Sequence, residues 1–193
     1  GEGNLYQSIV VSDLHLSDAE HLDPGRPLWK LYKRRELFFD AEFVNCIRHI
    51  EDSYSGPTEL ILNGDIFDFD NILQLPESPE GEINWLAHLR GLGTEEWMSS
   101  FKAGCIIRDH PEFFSELGEF LNRGNRIVFI TGNHDLEICW PSVRSQIYAA
   151  MNLEEGSKEW NELVFCDWFY VSEEDTYVSH GHQYDGFCVV RDP

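Results

Sequence analysis

Four short apolar runs along the chain each break off into a polar cluster able to hold a cation, and this recurrence constrains the fold more than any other feature. Ile9-Val10-Val11 leads into Asp13-Leu14-His15, and Leu60-Ile61-Leu62 into Asn63-Gly64-Asp65-Ile66-Phe67-Asp68. Ile127-Val128-Phe129-Ile130 leads into Gly132-Asn133-His134-Asp135, and Tyr177-Val178-Ser179 into His180-Gly181-His182. Runs of this length bounded by Gly, Asp and Asn read as buried strands. In open α/β sheets, sites form beyond the carboxyl ends of strands.

Between these runs the apolar period changes. Leu37, Ala41, Val44, Ile47 and Ile50 recur at helical spacing, after a loop marked by Pro24, Gly25 and Pro27, and Gly56-Pro57 ends the helix. A second helix is expected from Pro111, with Asp109 as cap, Phe114, Leu117 and Leu121 on one face and Gly124 as its stop. A third covers 142–151. Strands are expected at 8–12, 59–62 and 126–131, then closely spaced at 163–165, 168–171 and 177–179. The stretch 69–108, with Pro76, Pro79, Trp85, Trp97 and Phe101, is too long for a plain α/β connection and reads as a partly helical insertion. Alternating strands and helices followed by a run of strands predict an α/β fold with a second sheet packed beside the first.

The chain has 193 residues, enough for one domain spanning 1–193 but not for two. No apolar run approaches the ~20 residues needed to span a membrane. A net charge of −21 opposes binding to nucleic-acid backbones, which depends on Lys and Arg displacing counterions; the one basic run is KLYKRR at 30–35. Two divalent ions would offset part of a carboxylate cluster's charge. The five cysteines show no CxxC spacing and their number is odd, which predicts buried thiols in a reducing, cytoplasmic setting.

Taken singly, each polar cluster has an ordinary reading: a turn, a helix cap, or a pair of hydrogen-bonded histidines. Together, four clusters at four strand ends supply carboxylate, amide and imidazole donors to one place. Such mixed donors suit Mn, Fe or Zn rather than Ca or a thiolate site. Two ions ~3.5–4 Å apart would activate water and neutralise phosphoryl oxygens, which is what phosphate-ester hydrolysis requires.

The ordered set DLH at 13–15, GDIFD at 64–68, GNHD at 132–135 and HGHQYD at 180–185 resembles the calcineurin-like metallophosphoesterases over nearly the whole chain. The resemblance implies a sandwich of two mixed β-sheets flanked by helices and a metal-dependent phosphoesterase (phosphatase or phosphodiesterase) with two divalent metal ions, Mn foremost. It places Asp13 and His15 on the first metal, Asp65 between the two, and Asn133 and His180 on the second. His134 would contact the phosphate and assist the leaving group, and Asp135 would orient His134. Asp68 would support these residues or cap a strand end. The family's later GHxH motif is missing, so the resemblance implies a chain lacking its C-terminal strands and two metal ligands. HGHQYD then matches the family's earlier isolated histidine, and His182 lies outside the ligand set; the other reading makes His182 a ligand.

The substrate class implied is a small phosphate monoester or diester with a nucleoside, sugar or lipid part, against which Trp85, Trp97, Phe101 and Trp140 would form an apolar wall. The alternative is a scaffold of the same fold that binds partners without catalysis.

Overall fold

The computed structural model describes residues 6–18, 40–77, 80–81, 83, 91–172 and 175–188. The loop around Pro24, Gly25 and Pro27, the basic run at 30–35, Leu37, Pro79 and Trp85 lie outside these residues.

Four strands, β1 (Gln7–Val11), β2 (Thr58–Asn63), β3 (Arg126–Ile130) and β4 (Leu163–Cys166), form one parallel sheet in that order. Ile9, Leu60, Ile127 and Leu163 stand side by side across it. Parallel neighbours need long crossovers, and these carry α1 (Asp40–Ser53), α2 (Glu96–Asp109), α3 (Pro111–Asn122), α4 (Pro141–Ala150) and the one-turn α5 (Lys158–Asn161). Two further strands, β5 (Phe169–Val171) and β6 (Tyr177–Ser179), pair antiparallel. Among the described residues a parallel four-stranded sheet and a small antiparallel sheet thus combine with helices in the expected α/β fold. No described helix is long and apolar enough to cross a membrane.

Alternation along the strands sorts the core into two layers. Leu60, Leu62, Ile127, Phe129 and Leu163 pack with Phe43, Ile47, Ile106, Phe113, Phe114, Val143 and Ile147, so the helices share one face of the sheet. Ile61, Val128 and Ile130 point the other way and meet Val178 and Tyr170 of the small sheet. One polar residue joins this second layer: Glu59, fully buried on β2, accepts hydrogen bonds from Ser8 Oγ (3.0 Å) and Tyr170 Oη (2.5 Å), with Arg126 at 3.6 Å. Burial and this bond push the Tyr170 phenol up to about 12, so the bond persists across the ordinary pH range.

Three local expectations are corrected. The buried stripe of α1 is Phe43 and Ile47, whereas Ala41 faces solvent, because Phe43 stacks against Phe113 with ring centroids 4.7 Å apart and an aromatic ring buries far more area than a methyl group. Asp109 does not cap α3; it pairs with Arg108, and the Phe113 N–H donates instead to Asp40 of α1 (3.1 Å). Of the five free cysteines only Cys105 is buried; Cys46, Cys139 and Cys188 are exposed.

Within the stretch read as an insertion, α2 is a full core helix packed against α4. Its buried side includes Ser99 and Lys102. The Lys102 ammonium, 1% exposed, forms a 2.7 Å salt bridge with Glu137, which lies on a 3-10 turn at Leu136–Cys139. Phe101 and Trp140 pack against the main core rather than forming a free wall. The Trp140 indole N–H donates to the Thr94 carbonyl (2.9 Å).

Candidate metal centre

The loops after β1 and β2 are laced together beyond the ends of their strands. Asp13 N–H donates to Gly64 O (3.1 Å), His15 N–H to Asp65 O (3.0 Å) and Leu16 N–H to Ile66 O (2.8 Å), and Leu16 bridges Phe67. The bonding holds three non-glycine residues in left-handed backbone: Asp13 (φ 58°), His15 (φ 52°) and Asp65 (φ 52°). Each such residue costs of order 1–2 kcal/mol, and strain of this kind gathers at functional sites. The third loop closes against the second through glycine. A Cβ at Gly132 would collide with the carboxylate and backbone N of Asp65, and one at Gly64 would collide with the His180 ring.

Asp65 stands at the centre, 4% exposed. Its Oδ1 accepts the His134 backbone N–H (2.9 Å), while Oδ2 faces His180 Nε2 at 3.4 Å and His15 Nε2 at 3.9 Å. Burial alone would raise its pKa, but the hydrogen bonds from His180 and His134 and the charges of both imidazoles outweigh burial and hold it at about 2. Asp13 Oδ1 lies 4.0 Å from His15 Nε2, so Asp13, His15 and Asp65 offer ligand atoms around one point.

His180, beyond β6, is oriented by the backbone. Its Nδ1 lies 2.9 Å from the Asn63 carbonyl, which can only accept, so Nδ1 carries the proton and Nε2 is turned to Asp65. The bond to Asp65, more than offsetting burial, raises this imidazole to about 9. A bare Nε2 lone pair 3.4 Å from a carboxylate oxygen is repulsive, so a cation belongs between them: a proton or a metal ion. His182 is different. Burial and the neighbouring His180, with ring centroids 5.5 Å apart, lower its pKa.

Asp135 acts on the backbone. Fully buried, it accepts N–H bonds from Gly132 (2.6 Å) on one oxygen and from Ile66 (2.8 Å) and Phe67 (3.4 Å) on the other. Burial pushes it up to about 7 against the pull of those donors. It therefore ties the Asp65 and Asn133 loops together through the backbone.

Sequence reasoning underrated Asp68. Its Oδ1 accepts the Asn71 N–H (3.1 Å), capping a 3-10 turn at Phe69–Asn71, and its Oδ2 lies 3.6 Å from His15 Nδ1. His15, Asp68 and His134 form a second cluster with metal-competent spacing. Burial raises the Asp68 carboxyl despite both histidines. Its place three residues after Asp65 was the only signal in the sequence. Asn133 sits half-buried between Gly132 and His134 on the third loop.

The sequence model of the family described as calcineurin-like phosphoesterase matches residues 7–191. No curated protein matches the chain, and no solved structure does.

Proposed function

The chain belongs to the calcineurin-like phosphoesterase family, and from that premise we propose that it hydrolyses a phosphate monoester or diester at a dinuclear centre held by Asp13, His15, Asp65, Asn133 and His180. The observation that carries this reading is the pairing of His180 with Asp65: an imidazole held by Asn63 O through Nδ1 turns its other nitrogen to a buried, fully charged carboxylate. Metal-binding histidines are oriented by this kind of outer bond. Carboxylate, amide and imidazole donors fit two Mn ions, with Fe or Zn as substitutes.

When bound, the ions supply charge stabilisation and an activated water. This chain's own residues do the rest. Asp65 would hold the ions through its carboxylate. His134, beside His15 with ring centroids 5.1 Å apart, contacts the phosphate and supplies a proton to the leaving oxygen. Asp135 keeps the Asp65 and Asn133 loops in register. The substrate is a small phosphate ester with a nucleoside, sugar or lipid part. The five free thiols favour a cytoplasmic location.

The test is reconstitution with Mn, a count of ions per chain, and hydrolysis of aryl phosphate mono- and diesters. Two ions with Mn-dependent turnover support the proposal. No bound ion and no turnover overturn it, and ions bound without turnover support the scaffold.

The raised imidazole of His180 adds a proton balance. In the metal-free protein it stays protonated up to about 9, yet ligation needs its Nε2 lone pair. Near pH 7.5 metal binding is expected to release about one proton from this site, and apparent affinity is expected to rise roughly tenfold per pH unit until the folded pKa is passed. Calorimetry in buffers of different ionisation enthalpy reads both; a pH-independent affinity with no proton release would exclude His180 as a ligand. The same shift sets the stability of the metal-free protein. The pair's contribution is fully present below the ordinary histidine pKa and is lost as pH rises through about 9; on the acid side it is lost as Asp65 protonates near 2.

A further inference from the structure

His110 is a buried titratable residue outside the metal centre. It is the single residue between α2 and α3 and is 3% exposed. Its backbone N–H donates to the Ile106 carbonyl (2.9 Å), which closes α2, and Pro111 opens α3 directly after it. The ring is turned inward between two oxygens. Nδ1 lies 2.7 Å from Asp40 Oδ1 at the start of α1, and Nε2 lies 2.9 Å from the Ser17 carbonyl. A carbonyl can only accept, and so can an ionised carboxylate, whereas a neutral imidazole carries one N–H and one bare lone pair. Either neutral tautomer would set that lone pair against an oxygen, so both nitrogens carry a proton and the ring is an imidazolium. The charges around it agree: Asp40 faces the ring from α1, its other oxygen taking the Phe113 N–H (3.1 Å), and on α2 Arg108 is engaged by Asp109 (2.8 Å).

Ser17, 1% exposed, lies two residues past His15 on the segment that carries Asp13 and His15. The N–H groups of Asp13, His15 and Leu16 tie this segment to the loop after β2; the bond from His110 ties its far end to the helices. Left-handed residues such as Asp13 and His15 persist only where the surroundings over-determine them. We propose that His110 is a positioning residue, a buried imidazolium that clamps the Asp13–Ser17 segment to α1 and α3 and so keeps the ligands of the first ion in place. The effect on the ion rests on the phosphoesterase reading, in which Asp13 and His15 hold that ion; the clamp itself rests on the two bonds of the ring.

Two uncharged substitutions separate the two bonds. A Gln amide nitrogen reaches the place of Nε2 and an Asn amide nitrogen the place of Nδ1, so His110→Gln keeps the Ser17 bond and loses the Asp40 bond, and His110→Asn does the reverse. A buried carboxylate that loses its donor is costlier than a carbonyl that does, so His110→Gln is expected to lower the melting temperature more. Mn affinity is expected to rank the other way: His110→Asn weakens the first ion about tenfold or more, and His110→Gln retains most of the parental affinity. A role in stability alone would give both properties the same ranking. Equal losses of Mn affinity, no loss, or a larger loss in His110→Gln overturn the proposal. Two measurements on the metal-free proteins are independent of Mn. Long-range 1H–15N spectra of the parent near neutral pH are expected to show His110 protonated at both nitrogens; a neutral ring overturns the proposal, and this reading holds even where neither variant folds. Amide exchange at His15 and Leu16, relative to β2 and β3, is expected to be faster in His110→Asn than in His110→Gln; equal exchange overturns the clamp. If the parent binds no Mn while ring and exchange behave as expected, the phosphoesterase reading fails and the His110 clamp stands.

Discussion

Replacing Asp65 with Asn is expected to lower turnover of an aryl phosphate by about a thousandfold or more and to reduce bound Mn from two ions per chain to one or none. The side chains are the same size, so the loss would be electrostatic. Asp65 Oδ1 accepts the His134 N–H, and the Asn carbonyl can replace it there. Oδ2 is the atom that cannot be replaced. It faces His180 Nε2 at 3.4 Å and His15 Nε2 at 3.9 Å, and in the variant an NH2 group would point its hydrogens at the nitrogens meant to bind metal. Removing the charge also releases the His180 imidazole from the bond that holds it at about 9. Loss of charge stabilisation worth several kcal/mol, at 1.36 kcal/mol per decade, gives the stated magnitude. Metal analysis and steady-state kinetics check it; a variant that kept both ions and parental turnover would remove Asp65 from the centre.

The strand ends were legible in the sequence because each apolar run is continuous and is cut by Gly, Asp or Asn within a residue or two. Ser8, Leu60, Ile127 and Tyr177 all lie in strands where the runs place them. The approach of Asp13 and His15 to Asp65 has the same cause, since loops at the carboxyl ends of parallel neighbours share one edge of the sheet, whereas His180 arrives from the second sheet, beyond β6. What failed to show was polarity turned inward. The buried side of α2 runs through Ser99 and Lys102, which breaks the apolar period and hid the bounds of the helix. Glu59, fully buried within β2, is a second polar residue turned inward. The three backbone N–H bonds to the fully buried Asp135 also gave no sign in the sequence.

The largest effect on stability is expected from Lys102→Met. The substitution keeps most of the aliphatic stem but leaves the Glu137 carboxylate, 6% exposed, with no cation 2.7 Å away. Breaking a buried pair from one side costs about 3–5 kcal/mol. For a chain of this size that lowers the melting temperature by roughly 6–20 °C. The double variant Lys102→Met/Glu137→Met removes both charges and is expected to recover much of the loss, since the desolvation cost falls on an ion left alone. The position of the pair links this energy to function. Glu137 follows Asp135 by two residues on the turn at Leu136–Cys139, and the Lys102 ammonium also lies 5.5 Å from the Phe69 ring, next in sequence to Asp68. One buried cation thus supports the Asp68 and Asn133 loops from beneath. Lys102→Met is therefore expected to weaken Mn binding as well as the fold, even at temperatures where it remains folded, whereas an equally destabilising cavity at Ile47 on α1 is expected to leave Mn affinity unchanged. Equal Mn affinities for the two variants would confine Lys102 to the core.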